Sequence, residues 1–269
     1  MNPTISIVSP VYRADKIVEK LVLELKNTLT KMGVSYEIIL VDDRSKDNSW
    51  EVMKKIAQEN TEVKCIRLSR NFGQHPTIMA GLSQAKGEWI VVMDCDLQDQ
   101  PKEISKLYEK ALEGFEVVQA RRTVREDGFF KKMSSKVFSK IYGFFTDTIY
   151  DNEIANFGIY HKKAIQSVLQ LGDSIKFFPL FINYVGYNAT SIAVEHAQRE
   201  EGNSTYSFSK LISLAFNTII SFSNKPLKLF VKFGMLISAL SFGIGVYYLY
   251  QAMNNEIAVL GYTSIIVSI

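Results

Sequence analysis

Three carboxylates stand directly behind an apolar run in the stretch VVMDCDLQDQP, residues 91–101. Asp94 and Asp96 are two apart, and residues two apart in an extended segment project to the same side. Both can then reach one cation, and Gln98 can add a carbonyl oxygen. Such hard oxygen ligands suit Mg²⁺ or Mn²⁺, which share their shell with substrate phosphates. The alternative is that the acids only cap a turn or the following helix, a role that fits Asp99.

A second acidic pair, Asp42 and Asp43, follows another apolar run, YEIILV, and favours a functional interpretation. The loop VSPVYRADK contains no glycine and the chain has no P-loop, so neither common glycine cradle for phosphates is present. A metal that bridges a diphosphate is the natural substitute. A nucleotide sugar fits this arrangement, because a cation acting as a Lewis acid stabilises its departing diphosphate.

These residues need a scaffold, and residues 1–120 alternate between strand-like and helix-like patterns. The predicted strands are 5–12, 36–43, 63–69 and 88–94, and the predicted helices are 16–32, 49–59 and 77–85. This βαβαβαβ order predicts an α/β fold with a mostly parallel sheet and helices on both faces. Ligands of such sheets bind beyond the carboxyl ends of the strands, where both acidic motifs fall.

The bulk composition narrows the choice of partners. The chain has 269 residues, 47% of them hydrophobic, and a net charge of +3. That charge is too small to indicate nucleic acid as a partner, and the apolar content indicates that part of the chain belongs in a membrane. The two cysteines, Cys65 and Cys95, have no metal-type spacing, so neither a zinc site nor a disulfide framework is expected.

A membrane helix is predicted at about residues 233–253, because no charged residue lies between Lys232 and Glu256. At about 1.5 Å per residue this segment spans a bilayer core of roughly 30 Å, whereas buried helices of soluble domains are usually shorter. Lys225 and Lys228 also precede it, so the positive-inside rule leaves the N-terminal part in the cytoplasm. The N-terminus carries no signal-peptide pattern, which agrees with that side.

A second membrane helix is expected to start at about residue 257 and to stop partway at residue 269, as if the chain were truncated. The predicted organisation therefore has three parts: a cytoplasmic domain at 1–205, an interfacial amphipathic segment at 206–228 and a transmembrane region at 229–269. The predicted location is the inner or plasma membrane, with a multi-pass topology.

Two further stretches have the pattern of helices that lie on a membrane surface. In residues 128–145, apolar side chains recur at helical spacing, and Lys132, Lys136 and Lys140 stand four apart on another face. The alternative is an ordinary helix with a solvated lysine face. Residues 210–222 are apolar and lead into the predicted membrane helix, so they are expected to lie along the bilayer surface.

Five motifs in this order resemble glycosyltransferase family 2. They are PVY (10–12), VDDRSKDNSW (41–50), LSRNFGQH (68–75), DCDLQDQP (94–101) and REEGNSTY (199–206). The chain is similar in particular to the membrane-anchored polyprenyl-phosphate glycosyltransferases, the group with dolichyl-phosphate mannose synthase and bacterial undecaprenyl-phosphate glucosyltransferases. This resemblance implies a GT-A fold, and transfer of a sugar from a nucleoside diphosphate to a lipid phosphate, usually with inversion.

The resemblance also implies roles for individual residues. The nucleotide sugar would be bound by Pro10, Tyr12, Asp42, Asp43, Arg70 and Asp94. The metal would be held by Asp94, Asp96 and Gln98, and the acceptor phosphate by Arg121, Lys131 and Ser135. A loop that closes over the donor would contain Arg199, Gly202 and Ser204. The residues closest to catalysis would be Asp96, Arg122, Asn156 and Arg199.

The chain departs from the family pattern at two places. Residues 13–15 are Arg-Ala-Asp where relatives commonly show Asn-Glu-Glu, and Asn156 stands where several bacterial relatives carry an aspartate proposed as the base. A phosphate monoester has a second pKa near 6 and is already ionised at neutral pH, whereas a hydroxyl acceptor needs a base. Asn156 therefore fits a phosphate acceptor. It is also compatible with a different donor sugar, or with a purely structural turn.

The expected partners are a nucleotide sugar, polyprenyl phosphate and membrane lipid, with a homo-oligomer left open. The donor is expected to be UDP-linked, with a GDP-linked donor as the alternative. A transferase that uses a hydroxyl acceptor and a non-catalytic membrane scaffold also remain as alternatives. A processive synthase is not expected, because the only tryptophans, Trp50 and Trp89, are not in a Q-x-x-R-W motif.

Overall fold

The computed structural model describes residues 2–122, 154–171, 178–195 and 225–254. The chain divides into two compact units, residues 1–218 and residues 219–269. The first unit contains a sheet with helices packed against it, and in the second the described residues form one long helix. The predicted domain boundaries at residues 205 and 228 stay predictions.

The first unit has seven described strands. They are β1 (Ile5–Val11), β2 (Tyr36–Asp42), β3 (Val63–Arg67), β4 (Trp89–Val92), β5 (Val117–Arg122), β6 (Ile154–His161) and β7 (Ala189–Val194). Its described helices are α1 (Val18–Lys31), α2 (Ser49–Glu59), α3 (Gln74–Leu82), α4 (Ile104–Leu112), α5 (Lys162–Gln170) and α6 (Phe178–Tyr184), and a 3-10 turn at Pro101–Glu103 precedes α4.

The strands form one sheet in the order β3-β2-β1-β4-β6-β5-β7. β3, β2, β1 and β4 are parallel, as predicted, and β5 is parallel to β7. β6 is antiparallel to both β4 and β5, so among the described strands it alone runs in the opposite direction. The carboxyl ends of the other strands and the start of β6 therefore meet at one edge of the sheet.

The central strands form because their sequences can be buried on both faces. Every residue of β1 and of β4 is buried, as is usual for strands covered by helices on both sides. α1 covers one face with Leu21, Leu25 and Leu29, a spacing of one helical turn. Trp89 and Phe178 are also buried and belong to the core.

α3 lies unusually close to the opposite face of the sheet. A Cβ atom at Gly81 would stand 2.5 Å from Cγ1 of Val8 and 3.0 Å from Cγ2 of Val41, so only glycine fits between the helix and the strands. The helix begins at Gln74. The sequence pattern placed the start three residues later, at Thr77, and this is wrong because the first turn of a helix tolerates the intervening Pro76.

The second unit contains α7 (Lys225–Met253). Its segment Leu227–Gln251 has a mean hydropathy of 1.9 and is the one candidate among the described residues for a helix that crosses a membrane. The helix starts eight residues before the predicted residue 233, so the lysines at 225, 228 and 232 belong to its first turns. The predicted second helix at 257–269 and the surface helices at 128–145 and 210–222 lie outside the described residues.

Candidate active site

Three loops meet at the carboxyl edge of the sheet, and each contains a non-glycine residue with positive φ. These are Arg13 after β1 (φ 54°), Arg44 after β2 (φ 56°) and Leu97 after β4 (φ 56°). Such a conformation costs about 1–3 kcal/mol per residue and persists only where neighbouring contacts enforce it. Strain of this kind concentrates at functional sites, and here it concentrates where both acidic motifs lie.

Hydrogen bonds join the loop after β1 to the loop after β2. The Arg13 amide donates to Ser45 Oγ at 3.0 Å, and the Ala14 amide donates to Ser49 Oγ at 2.9 Å. Ser49 Oγ in turn donates to Asp47 Oδ1 at 2.7 Å. The departure of residues 13–15 from the family pattern thus falls in a loop that the neighbouring loop holds in place.

Asp42, predicted to bind the nucleotide, is fully buried and engaged within the protein. Its Oδ1 accepts from the Ser45 amide at 2.9 Å, and its Oδ2 lies 3.1 Å from Nε of Arg67. The Arg67 guanidinium also lies 5.4 Å from the centre of the Trp50 ring. Asp42 therefore fixes the loop after β2. The sequence alone does not indicate Arg67, because its partner becomes visible only when β2 pairs with β3.

Asp43 holds the start of α3. Its two oxygens accept from the amides of Phe72 at 2.7 Å and Gly73 at 2.9 Å, and only 4% of its surface is exposed. A carboxylate in this position also stabilises the positive end of a helix dipole. The neighbouring Arg70 is exposed, and its guanidinium lies 4.6 Å from the centre of the Phe72 ring.

The acidic motif after β4 is not an extended segment. β4 ends at Val92, and Cys95 and Asp96 lie in a turn, so the expectation that alternation along a strand brings Asp94 and Asp96 to one side is wrong. Asp96 Oδ1 accepts from the Gln98 amide at 3.2 Å, which tightens the turn. Asp94, Asp96 and Gln98 are all half-buried at the end of the strand.

Asp99, which the alternative interpretation made a capping residue, is not the N-cap of either helix start that follows it, since these positions are Gln100 and Glu103. The capping residue of the turn at Pro101–Glu103 is Gln100, which makes no side-chain hydrogen bond to the helix. Asp99 is itself buried, with 1% of its surface exposed.

Gln74 contacts the acidic motif although it belongs to a different element, the start of α3. Its Nε2 donates to Oδ1 of Asp94 at 2.6 Å. Gln74 is part of the motif LSRNFGQH, but the sequence alone indicates no role for it. The signal that could have found it is its place next to the carboxyl edge, at the start of the helix that follows β3.

Two side chains in this region, the half-buried Cys95 and the buried His75, carry no charge at neutral pH. Burial, reinforced by Asp94, raises the pKa of the Cys95 thiol to about 12, so it does not form a nucleophilic thiolate. The backbone of Tyr12 hydrogen-bonds the same sulfur, which links the loops after β1 and β4. Burial lowers the pKa of His75 to about 4, so its imidazole is neutral.

Asn156 lies on β6 and not in a turn, so the alternative of a structural turn residue is wrong. Gly158 pairs with both Val92 of β4 and Gln119 of β5. Asn156 lies two residues closer to the start of β6, at the edge of the sheet where β4 ends. It also lies in an irregular part of β6, a feature that often stands next to active sites.

The remaining predicted residues divide into those at the same edge and those outside the described residues. Pro10 is buried at the end of β1, and Tyr12 is half-buried, with the Arg13 guanidinium 5.3 Å from the centre of its ring. Arg121 and Arg122 end β5. Lys131, Ser135, Arg199, Gly202 and Ser204 lie outside the described residues.

The oxygen atoms at this edge fit a divalent cation that is bound together with a phosphorylated ligand. Asp94, Asp96 and Gln98 offer carboxylate and amide oxygens, which Mg²⁺ and Mn²⁺ prefer. Among the described residues, no group of three His, Cys, Asp or Glu side chains could hold an ion by itself. Binding through one or two carboxylates, completed by phosphate oxygens and water, is the usual mode for Mg²⁺.

Solved structures share this architecture. The structure of S. aureus TarS in complex with UDP-GlcNAc aligns with this chain with a TM-score of 0.53 at 20% identity. The alignment covers 81% of this chain and 65% of the TarS chain, so this chain spans slightly less than two thirds of the TarS structure. Glucosyl-3-phosphoglycerate synthase from Mycobacterium tuberculosis, in complex with Mn²⁺, UDP-glucose and phosphoglyceric acid, aligns with a TM-score of 0.59 at 14% identity, over 81% of this chain and 78% of that one. The fold is of the GT-A type.

Sequence relatives then define the family. Residues 6–169 match the family described as Glycosyl transferase family 2. Relatives from Salmonella paratyphi B and Salmonella typhimurium, named undecaprenyl-phosphate 4-deoxy-4-formamido-L-arabinose transferase, are 35% identical over 243 residues, which cover 90% of this chain and 74% of theirs. The chain belongs to glycosyltransferase family 2, and it is a glycosyltransferase.

Proposed function

We propose that this enzyme transfers a sugar from a nucleoside diphosphate, expected to be UDP, to polyprenyl phosphate at a membrane surface. The observation that carries the proposal is the 35% identity, over 90% of the chain, to transferases whose name gives undecaprenyl phosphate as the acceptor. The acidic loops at the carboxyl edge support it, since they suit a cation bound through a diphosphate.

The described residues form two groups, one that binds the donor with its cation and one that binds the acceptor. Asp94, Asp96 and Gln98 would hold the divalent cation, which when bound would supply Lewis-acid stabilisation of the departing diphosphate. Tyr12 and Asp43 stand beside them, on the loops after β1 and β2, and bind the nucleoside. The carboxylate of Asp43 would contact the nucleoside in one fixed orientation, because backbone amides donate to both of its oxygens.

The acceptor phosphate approaches from the side of β5 and β6. Arg121 and Arg122 attract it, and Asn156 donates a hydrogen bond without removing a proton. A base is not required, because a phosphate monoester is largely dianionic at neutral pH. The acceptor oxygen attacks the anomeric carbon opposite the departing diphosphate, so the configuration of the sugar inverts.

The membrane helix accounts for the choice of a long lipid as substrate. α7 holds the enzyme at the surface where polyprenyl phosphate is confined, which raises the effective concentration of that substrate. The lysines in its first turns, at 225, 228 and 232, favour the cytoplasmic face for the catalytic unit.

A labelled-transfer assay tests the reaction. The full chain in detergent is incubated with undecaprenyl phosphate, Mg²⁺ or Mn²⁺, and a panel of labelled UDP- and GDP-sugars, and the lipid is extracted into organic solvent. We expect label in the lipid from one donor, dependent on the cation and absent when undecaprenol replaces undecaprenyl phosphate. Label that enters undecaprenol or an added saccharide instead would contradict the phosphate acceptor. The absence of both transfer and nucleotide binding would favour a scaffold.

The variant Asp96→Asn tests the site in the same assay. We expect transfer to fall at least about 100-fold, because a carboxylate in contact with the cation is lost. The control is Glu113→Gln, which removes an exposed carboxylate paired with Lys110 and should leave the rate unchanged. Residual transfer by Asp96→Asn within tenfold of the wild-type rate would count against the cation site.

A further inference from the structure

Two acidic loops that follow different strands are joined through the start of α3, whose first residue is Gln74. Its Nε2 donates to Asp94 Oδ1 at 2.6 Å, although the two residues are 20 positions apart in the chain. The amides of the two residues before it, Phe72 and Gly73, donate to Asp43. The start of α3 is therefore bonded to the loop after β2 by its backbone and to the loop after β4 by a side chain.

The start of α3 is fixed firmly enough to orient a neighbour. Gly73 has φ 92°, a value that glycine adopts without strain, and its carbonyl accepts from both the amide and the hydroxyl of Thr77. Further along the helix, Gly81 packs directly on Val8 and Val41. The helix cannot slide along the sheet without breaking these contacts, so the position of the Gln74 backbone is determined by the core.

The hydrogen bond acts on the one soft torsion of Asp94. Rotation of a carboxylate about its Cβ–Cγ bond has a broad energy profile, so without a partner the plane of the group is poorly defined. A donor that holds Oδ1 at 2.6 Å selects one orientation of that plane. Partners of metal-bound carboxylates commonly have this role, and their removal typically weakens metal binding or activity by 10- to 100-fold.

We propose that Gln74 is a positioning residue that orients the Asp94 carboxylate for the divalent cation, an inference that rests on the proposed function. Gln74 itself does not contact the cation or the sugar in this scheme. It couples the nucleoside side of the site, through Phe72, Gly73 and Asp43, to the cation side.

The test is the substitution Gln74→Met, which keeps the length and unbranched shape of the side chain but removes the donor. The full chain in detergent is saturated with UDP and titrated with Mn²⁺, and free Mn²⁺ is measured by electron paramagnetic resonance. We expect the Kd for Mn²⁺ to rise about 10- to 100-fold. In the transfer assay the Mn²⁺ concentration for half-maximal rate should rise by a similar factor, while the rate at saturating Mn²⁺ changes only a few-fold.

Two controls separate positioning from a general structural effect. Gln84→Met makes the same chemical change at an exposed glutamine just beyond the other end of α3, and it should bind Mn²⁺ like the wild type. Gln74→Met should also bind uridine, which carries no phosphate, with unchanged affinity. Gln74→Ala removes the donor without adding an apolar group and must show the same loss of Mn²⁺ affinity.

The outcomes distinguish this inference from the function on which it rests. If the wild type binds Mn²⁺ with UDP and both Gln74 variants bind it equally well, the positioning role is wrong and the proposed function is unaffected. If both variants lose Mn²⁺ and uridine affinity together, Gln74 is a structural residue and the inference is also wrong. If the wild type binds no Mn²⁺ with UDP, the cation site and the positioning role both fail.

Discussion

At the scale of single residues, the chain uses carboxylates for two different purposes at opposite edges of the sheet. At the carboxyl edge, Asp94 and Asp96 are half-buried and remain close to solvent, as a ligand site requires. At the amino edge, Glu37 is buried with 4% exposure and accepts from Ser6 Oγ at 2.6 Å, from the Lys86 amide at 2.7 Å and from Lys64. Glu37 is therefore structural.

We predict that Glu37→Gln lowers the free energy of unfolding by about 1–3 kcal/mol at pH 7, because buried donors lose a charged acceptor. Burial alone raises the pKa of Glu37, but hydrogen bonds from Lys64, Ser6 and Lys86 outweigh it, so the pKa is lowered in the folded state. The stabilisation is thus complete above the unfolded pKa of about 4.3 and is lost as the pH falls through the folded value. The difference in the free energy of unfolding between Glu37→Gln and the wild type should therefore become smaller as the pH falls.

Urea unfolding followed by tryptophan fluorescence measures this effect, since Trp50 and Trp89 both lie in the first unit. Glu113→Gln, at an exposed ion pair, is the control and should change stability by less than about 0.5 kcal/mol. A cost for Glu37→Gln that stays the same from pH 7 to below pH 4 would contradict the assigned ionisation.

At the scale of elements, local sequence patterns predicted the half of the sheet formed by β1 to β4 but not the other half. β1, β2 and β4 are short, mostly apolar runs that end at turns, and such patterns depend little on distant contacts. The direction of β6 depends on its pairing with β4 and β5, which no local pattern encodes. The contact between Gln74 and Asp94 was likewise not predictable, because it arises only when α3 packs on the sheet.

The close contact of α3 with the sheet gives a prediction at this scale. Gly81→Ala should lower the free energy of unfolding by about 1–3 kcal/mol, because the added Cβ would stand 2.5 Å from Val8 Cγ1. The intrinsic helix preference of alanine over glycine, at most about 1 kcal/mol, acts in the opposite direction but is smaller.

The same unfolding assay measures this cost, and Val8→Ala provides the matched background because it removes Cγ1. The cost of Gly81→Ala should be smaller in the presence of Val8→Ala. Equal costs in both backgrounds would show that the overlap with Val8 is not the cause.

At the scale of the whole molecule, the second unit has an apolar surface. The large apolar side chains of α7 are exposed along its length, including Phe230, Leu240 and Ile244, and none of its apolar window is buried. Exposed apolar area of this extent indicates contact with lipid.

We predict that the double substitution Leu240→Arg and Ile244→Arg releases the protein from membranes. Each arginine near the centre of a membrane helix costs about 2.5–3.5 kcal/mol, so together they cost about 5–7 kcal/mol. The measurement is the fraction of protein that remains with membranes after an alkaline wash. Leu112→Arg, at an exposed leucine of the first unit, is the control and should not change that fraction. Retention of the double variant would mean that α7 does not provide the attachment.

Because β6 runs against its neighbours, distant parts of the chain meet at one edge of the sheet. Arg121 near the end of β5 pairs with Ile154 at the start of β6, and β6 also pairs with β4, which the acidic loop follows. Substitutions at residues 94–98, at the end of β5 and at the start of β6 are therefore expected to act on one region of the protein, so their effects on the reaction need not add.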